Sequence, residues 1–188
     1  MARFLNTHDS YGLVAQCLHW LVAALVFVQI GLGLYAAALP LSLARLQWLS
    51  RHKSLGLTIL VLVLLRFAWR SIDRTPAPPE SMRPWQRALA ALTHRALYLL
   101  LVLAPLSGWM RASAAGLSVN WFGLFQVPDL LPKQARLADL LLLAHRGCVA
   151  LLAFLILCHV LGALIHALVL RDGVVRRMLP QRRRTGRC

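Results

Sequence analysis

The stretch HRGCVALLAFLILCHVLGALIHALVL, residues 145–170, is long and apolar and contains histidines. Residues 147–170 contain no Asp, Glu, Lys or Arg, and a helix that crosses a bilayer needs about 20 mostly apolar residues. The same stretch carries His145 and His159, and ionisable side chains inside a membrane segment usually mark function. It therefore predicts a membrane-spanning helix with histidines at two depths.

Further apolar windows precede this stretch. Residues 10–44 are also free of charged residues, and shorter charge-free windows cover 54–65 and 96–110. The first run is too long for a cleaved signal peptide, and no cleavage-site context follows it. We predict an all-α integral membrane four-helix bundle in a single domain, 1–188. Its helices are expected near 14–38, 47–69, 88–111 and 142–170, followed by a basic tail at 171–188.

The composition excludes the ordinary soluble classes. The chain is 59% hydrophobic with a mean hydropathy of +0.64, yet its formal net charge is +15. A disordered basic tail would lack this apolar mass, and a soluble nucleic-acid binder would not carry such long uncharged runs. We therefore expect membrane lipid, and no nucleic acid, as a partner. The four cysteines form neither CxxC nor CxxCH, so they are interpreted as free thiols rather than ligands of zinc or covalent haem.

Positive charge predicts the orientation, because cytoplasmic loops carry an excess of Lys and Arg. Of the 21 cations, 14 fall on the side of the two termini: Arg3, Arg66, Arg70, Arg74, Arg83, Arg87, Arg95, Arg171, Arg176, Arg177, Arg182, Arg183, Arg184 and Arg187. Both termini are therefore predicted to be cytoplasmic. The other 7 cations face 2 acids, so the outer rim carries a net +5. That excess either anchors the helices or attracts a small anion.

Two connecting segments have a distinct character. Residues 71–84 are rich in proline and polar residues, which predicts a cytoplasmic loop that cannot continue a helix. Residues 112–136 include an apolar WFGLF followed by VPDLLP, which predicts a partly ordered lid on the outer surface.

The histidines match in pairs by depth. His159 follows His145 by 14 residues, which is nearly four helical turns and about 21 Å. The second helix starts outside and carries His52 near its beginning, whereas the first starts inside and carries His19. His52 therefore matches His145 at the outer level, and His19 matches His159 at the inner level. Bis-histidine ligation of two stacked haems would suit electron transfer rather than oxygen binding.

Other interpretations of these histidines remain open. A lone intramembrane histidine often packs against a backbone carbonyl group. A zinc or copper site requires ligands clustered at one level, usually with Cys, Asp or Glu beside them. A transporter would usually want an intramembrane carboxylate, which the predicted spans lack. The two levels favour haem, and a non-redox metal transporter is the rival class.

Arginines and glycines near these histidines fit a bulky, anionic cofactor. Arg66 lies 14 residues after His52, on the same helix face at the inner level. It is expected either to pair with a haem propionate or to extend towards the membrane surface. Candidates for the same role at the outer level are Arg51, Lys53 and Arg146. Small residues that leave room for a macrocycle, or simply let helices pack, are Gly31, Gly33, Gly56, Gly108, Gly147 and Gly162.

Two histidines are left over near the inner surface. His166 lies on nearly the same face as His159, about 10 Å further along the helix. It is a candidate to hydrogen-bond a quinone or to move its proton. His94 is a weaker candidate for the same role. His166 is also the main rival of His159 as the inner ligand, but it lies close to the charged helix end at Arg171.

The sequence resembles the bacterial cytochrome b561 family over nearly its whole length. The matching features occur in the family's order: His19-Trp20, RHKSLG (51–56), LVLLRFAWR (62–70), APLSG (104–108), His145, His159 and GVVRRMLP (173–180). The resemblance implies two b haems in a four-helix bundle of the inner membrane, with electrons exchanged with ubiquinone. Some members resemble a superoxide oxidase, in which superoxide donates the electron. A related group, usually with longer chains, serves as the cytochrome b anchor subunit of hydrogenases and other dehydrogenases.

Overall fold

The computed structural model of the protein describes residues 4–8, 10–73, 75–77 and 82–179. Four long helices run through these ranges: α1 (Leu13–Ala38), α2 (Leu43–Ile72), α3 (Pro84–Ala114) and α4 (Ala135–Leu164). Each is long and apolar enough to cross a membrane. The predicted all-α integral membrane bundle is confirmed.

Local signals set the helix starts, which lie outside the apolar windows. The second helix begins at Leu43 rather than near residue 47, because the Ser42 hydroxyl accepts a hydrogen bond from the Arg45 N–H (3.3 Å) and caps the helix. The third begins with Pro84, whose missing N–H has no partner in a first turn anyway. The fourth begins at Ala135 rather than near residue 142, because hydropathy marks only the part inside the bilayer.

The last helix changes form as it ends. A π-helical turn covers Ile165–Leu170, and Arg171 adopts a left-handed conformation with φ of 49°. A short 3-10 turn follows at Val175–Met178. The chain thereby folds back over the end of the bundle instead of continuing along the α4 axis.

The helices alternate in direction, which gives the bundle two distinct ends. We call the end that holds both termini the terminal end and the opposite end the loop end. Neighbouring helices in sequence pack together: α1 on α2, α2 on α3, and α3 on α4. Val22, Val26, Ile59 and Val63 form one buried cluster between α1 and α2. Most other apolar side chains on the helices point outward, as expected for surfaces that face lipid.

A folded connection, residues 115–134, closes the loop end, and we call it the lid. It contains a small hairpin of β1 (Asn120–Trp121) and β2 (Phe125–Gln126). The Ser54 hydroxyl donates to the Asn120 carbonyl (3.0 Å) and accepts from the Phe122 N–H (3.0 Å). The Trp121 indole donates to Thr58 Oγ1 (3.1 Å). Side chains of α2 therefore hold the lid in place.

Segments from both termini cover the terminal end. The Gln16 amide donates to the Tyr11 carbonyl (2.8 Å), and the Trp20 indole donates to the Met178 carbonyl (2.9 Å). The Asn6 N–H donates to Asp73 Oδ2 (3.0 Å). Several cations used to predict the orientation lie outside the described residues: Arg3, Arg74, Arg182, Arg183, Arg184 and Arg187.

Candidate functional site

At the loop end, His52 of α2 and His145 of α4 face each other. Their ring centroids lie 6.3 Å apart and their planes are nearly perpendicular, at 87°. The Nδ1 atom of His145 lies 2.9 Å from the carbonyl oxygen of Ala104, to which it donates. Because Nδ1 carries the proton in that bond, Nε2 keeps its lone pair and can bind a metal.

A side chain of α1 contacts His52, and one ring nitrogen of His52 has no hydrogen-bond partner. The Gln29 amide donates to the His52 carbonyl (2.9 Å) and lies 3.3 Å from His52 Nε2. The Nδ1 atom of His52 is buried and has no hydrogen-bond partner. Buried polar atoms are nearly always partnered, so an unpartnered imidazole nitrogen here is consistent with a site for a further ligand.

At the terminal end, His19 of α1 faces His159 of α4. Their ring centroids lie 6.4 Å apart, with the planes at 76°. The Nδ1 atom of His19 is also buried without a partner. Trp20 contacts the His19 ring edge to face at 5.0 Å, which restricts the imidazole orientation. The structure thus brings together both histidine pairs that depth alone predicts.

The separation within each pair suits one metal ion between two imidazoles. An imidazole nitrogen binds a metal at about 2.0 Å, and it lies about 1.2 Å from its own ring centroid, so two opposed ligands place their centroids about 6.4 Å apart. The observed values are 6.3 and 6.4 Å. The ring of His94 lies only 5.2 Å from that of His159, too close for an iron between them.

The bundle leaves room at both pairs. Among the described residues, α4 packs closely on α3, but its backbone makes at most sparse contact with α1 and α2. His19 and His159 meet across α1 and α4, and His52 and His145 meet across α2 and α4. Both pairs therefore bridge helices whose backbones stand apart, where a planar macrocycle could be accommodated.

Two glycines provide space directly beside the loop-end histidines. A Cβ atom on Gly33 would come within 2.9 Å of His52 Cε1, and one on Gly108 within 3.1 Å of His145 Cε1. Gly31, Gly147 and Gly162 have open space at the same position. The sequence gives no reason to distinguish among these glycines. The packing of α1 on α2 and of α3 on α4 places only Gly33 and Gly108 of this set against an imidazole ring.

One arginine accompanies each histidine pair. The Arg66 guanidinium lies 5.4 Å from the Tyr98 ring centroid and is an electrostatic neighbour of His19 and His159. Arg111, an electrostatic neighbour of His145, has a buried Nε atom without a partner. From the sequence, Arg111 is only one of the outer cations, because nothing in its spacing relates it to the histidines.

Two cations suggested for the loop-end site are engaged elsewhere. The Lys53 ammonium donates to the carbonyl groups of Leu117 (3.0 Å) and Ser118 (3.2 Å), so it supports the lid. The Arg51 guanidinium stacks 4.5 Å above the Trp48 ring. Arg146 is exposed. Arg111 is therefore the better placed cation for an anionic group at this level.

The two remaining histidines occupy different settings at the terminal end. His166 Nδ1 lies 2.5 Å from the Asp172 carboxylate, because the π-helical turn and the left-handed Arg171 bring the chain back towards it. His94 donates through Nδ1 to the carbonyl of Ala90 (2.6 Å) and lies against His159. His94 therefore neighbours the predicted ligand pair, whereas His166 forms an ion pair with a residue outside the helix.

Comparisons with known proteins point to one family over most of the chain. The family model described as prokaryotic cytochrome b561 matches residues 10–181. Cytochrome b561 homolog 2 of Escherichia coli is 32% identical over 180 residues, which cover 94% of this chain and 94% of that protein. A Yersinia pestis protein named as a probable superoxide oxidase, CybB, is 32% identical over 94% of this chain and 99% of its own length. Cytochrome b561 homolog 1 of Escherichia coli is 28% identical over 70% of this chain and 74% of its own.

Proposed function

Because the chain belongs to the prokaryotic cytochrome b561 family, a family of membrane electron-transfer proteins that bind haem b, we propose that it holds two b haems and moves electrons across the bilayer. The observation that carries the proposal is the pair of histidine sites. His52 with His145 would hold one haem iron and His19 with His159 the other, at ring-centroid separations of 6.3 and 6.4 Å. One pair lies towards each end of the bundle.

The protein's own groups set the conditions at each site. Haem b, when bound, supplies reversible one-electron chemistry, and two histidine ligands leave no open position for oxygen. The Ala104 carbonyl fixes the tautomer of His145 and orients its ring. Arg66 and Arg111 supply positive charge beside the two sites, suited to haem propionates.

The orientation follows from the charge. We propose that the terminal end faces the cytoplasm of a bacterial cell and that the protein lies in the inner membrane. Arg70, Arg83, Arg87 and Arg95, together with the C-terminal basic segment, support this orientation. The loop end, with its lid, then faces the electron donor.

We assign the acceptor, ubiquinone, to the terminal end. His166 is its candidate partner, because Asp172 holds Nδ1 and leaves Nε2 as the free nitrogen. A free imidazole nitrogen can hydrogen-bond a quinone carbonyl group, and quinone reduction consumes two protons. His94, the weaker candidate in the sequence, lies against His159 and is better suited to supporting that ligand.

Superoxide is the donor we favour. Sequence similarity to a protein named as a probable superoxide oxidase supports this choice. Arg111 and Arg146 also provide positive charge at the loop end. Two superoxide anions would lose one electron each to give dioxygen, and one quinone would gain two electrons and two protons. The alternative, a cytochrome b subunit that anchors a dehydrogenase, requires a partner chain.

A haem count tests the central proposal. Purified protein should show a b-type spectrum with two haems per chain. His52→Ala and His145→Ala should lose the same haem, and His19→Ala and His159→Ala the other, because each iron needs both ligands. His8→Ala, a change in an exposed histidine outside the helices, is the control. A colourless preparation from haem-replete cells would disprove the proposal and favour a metal transporter, although the described residues contain no cluster of three or more metal-ligating side chains.

Rapid mixing with superoxide tests the donor. Superoxide should reduce the protein and drive quinone reduction, and the rate should fall as salt screens the attraction between an anion and the cationic loop end. Arg111→Gln should slow the reaction more than Arg45→Gln. Normal haem content without superoxide-driven quinone reduction would leave an electron carrier with another donor.

A further inference from the structure

A small, partly open polar cavity lies at the terminal end, between the start of α1, the end of α2 and α3, and it shares Arg66 with the proposed terminal-end haem site. Tyr11, Arg66, Trp69, Arg70 and Tyr98 contribute its principal polar side chains. Among the described residues, no Asp or Glu lines it. The cavity therefore presents two guanidinium groups, two phenols and an indole, all of which can donate hydrogen bonds to an anion.

These donors lack protein acceptors. The Trp69 Nε1 atom is buried and has no hydrogen-bond partner. Arg66 and Arg70 stack 5.4 and 5.8 Å from the centroid of the Tyr98 ring, and within the described part of the chain no carboxylate lies at salt-bridge distance from either. Arg66 is half-buried whereas Arg70 is exposed. A cationic group partly removed from water is normally paired, and the buried Trp69 N–H also lacks an acceptor, so an anion would complete the site.

Tyr11 adds a neutral donor that persists at physiological pH. Burial raises the pKa of the Tyr11 phenol above its ordinary value of 10.0, although nearby arginines, chiefly Arg70, oppose the shift. The phenol therefore stays protonated. The Tyr11 N–H donates to the Arg177 carbonyl (3.2 Å), which fixes the backbone beside the cavity.

The position of the cavity identifies the anion. Tyr11 lies two residues before α1 begins at Leu13, and Arg70 lies two residues before α2 ends at Ile72. Membrane helices end near the level of the lipid head groups, and basic pockets between helices at that level bind anionic head groups. We infer that this cavity binds the phosphate of an anionic glycerophospholipid, with Arg70 and Tyr11 as its main contacts.

Lipid retention by the full-length, haem-loaded protein tests this inference. Native mass spectrometry during titration with phosphatidylglycerol should show one tightly held lipid, and phosphatidylcholine should bind at least tenfold more weakly. Arg70→Gln should weaken phosphatidylglycerol binding about tenfold, the effect of one charge-assisted hydrogen bond. Tyr11→Phe should weaken it less. Arg95→Gln, an exposed arginine on α3 outside the cavity, is the matched control and should bind normally.

Three results would overturn the inference. Equal affinity of wild type and Arg70→Gln for phosphatidylglycerol would show that the lipid does not bind in this cavity. Displacement of the lipid by inorganic phosphate at comparable concentration would make it a free-anion site. An altered haem midpoint potential in Arg70→Gln with unchanged lipid affinity would assign the cavity to a haem propionate. Arg70→Lys, which keeps the charge, should retain most binding, and the haem content of each sample reports separately on the proposed function.

Discussion

Gly33 on α1 and Gly108 on α3 decide how closely neighbouring helices approach the loop-end histidines. Each glycine lies within about a van der Waals contact of an imidazole: a Cβ atom would approach His52 Cε1 to 2.9 Å and His145 Cε1 to 3.1 Å. Real Cβ atoms essentially never come as close as the first of these distances. Any larger residue at Gly33 must therefore displace the His52 ring or separate α1 from α2.

Gly33→Ala should selectively impair the loop-end haem. Overpacking of this kind typically destabilises by about 1–3 kcal/mol, and here it acts on a proposed ligand. We expect haem content to fall from two towards one per chain, with the remaining haem spectrally unchanged. Gly31→Ala, two residues away with open space at its Cβ position, should keep both haems. Equal haem content in the two variants would contradict the role of Gly33.

Among the helices, α4 and α2 have different structural roles. α4 carries one histidine of each pair, so a single continuous helix sets the separation between the two sites. α2 carries His52 and Arg66, and through Lys53, Ser54 and Thr58 it also holds the lid. The lid's order therefore depends on side chains of α2 rather than on the two-residue strands of its hairpin.

Ser54→Ala should loosen the lid while leaving the helices intact. Ser54 is fully buried, and its hydroxyl makes hydrogen bonds with the Asn120 carbonyl and the Phe122 N–H. Leaving such buried groups unpaired destabilises by about 1–3 kcal/mol. Hydrogen exchange should increase in residues 117–126 and the melting temperature should fall. Ser71→Ala removes only an exposed bond to the carbonyl of Phe67 in the same helix, and unchanged exchange in both variants would show that other contacts hold the lid.

Across the whole molecule, charge is distributed unequally between the two ends. The sequence predicts 14 cations on the side of the two termini and 7 on the other side, and six of the 14 lie outside the described residues. The bundle between them is apolar on its outer surface, with only 6–22% of each membrane-span window buried inside the protein. A lipid environment is therefore required to cover most of the apolar surface, and the charge bias predicts that the terminal end faces the cytoplasm.

Topology reporters test that orientation. A reporter active only in the cytoplasm should work when fused after Cys188, and one active only outside the cytoplasm should work when inserted at Gly123 in the lid, where the backbone has open space. Neutralising terminal-end arginines such as Arg83, Arg87 and Arg95 should increase the inverted fraction, because the Lys and Arg bias directs insertion. The opposite reporter pattern in the unaltered chain would reverse our assignment of donor and acceptor ends.

Local sequence patterns predict the membrane class, the four helices and the relative depth of each histidine. Hydropathy depends on composition along a span, and depth depends on a fixed rise per residue, so both are local properties. The predicted starts near 47, 88 and 142 lie several residues inside the observed starts at Leu43, Pro84 and Ala135, because hydropathy detects the bilayer segment and not the first turns outside it.

The packing of the helices adds the distances within the predicted histidine pairs and the contacts that no single-helix pattern predicts. The 6.3 and 6.4 Å ring separations, the contacts of Gly33 and Gly108, and the position of Arg111 beside His145 depend on how the helices pack. The same holds for Lys53, which holds the lid. Rotation and spacing of one helix against another arise from many long-range side-chain contacts, and a pattern within a single helix carries no information about its neighbour.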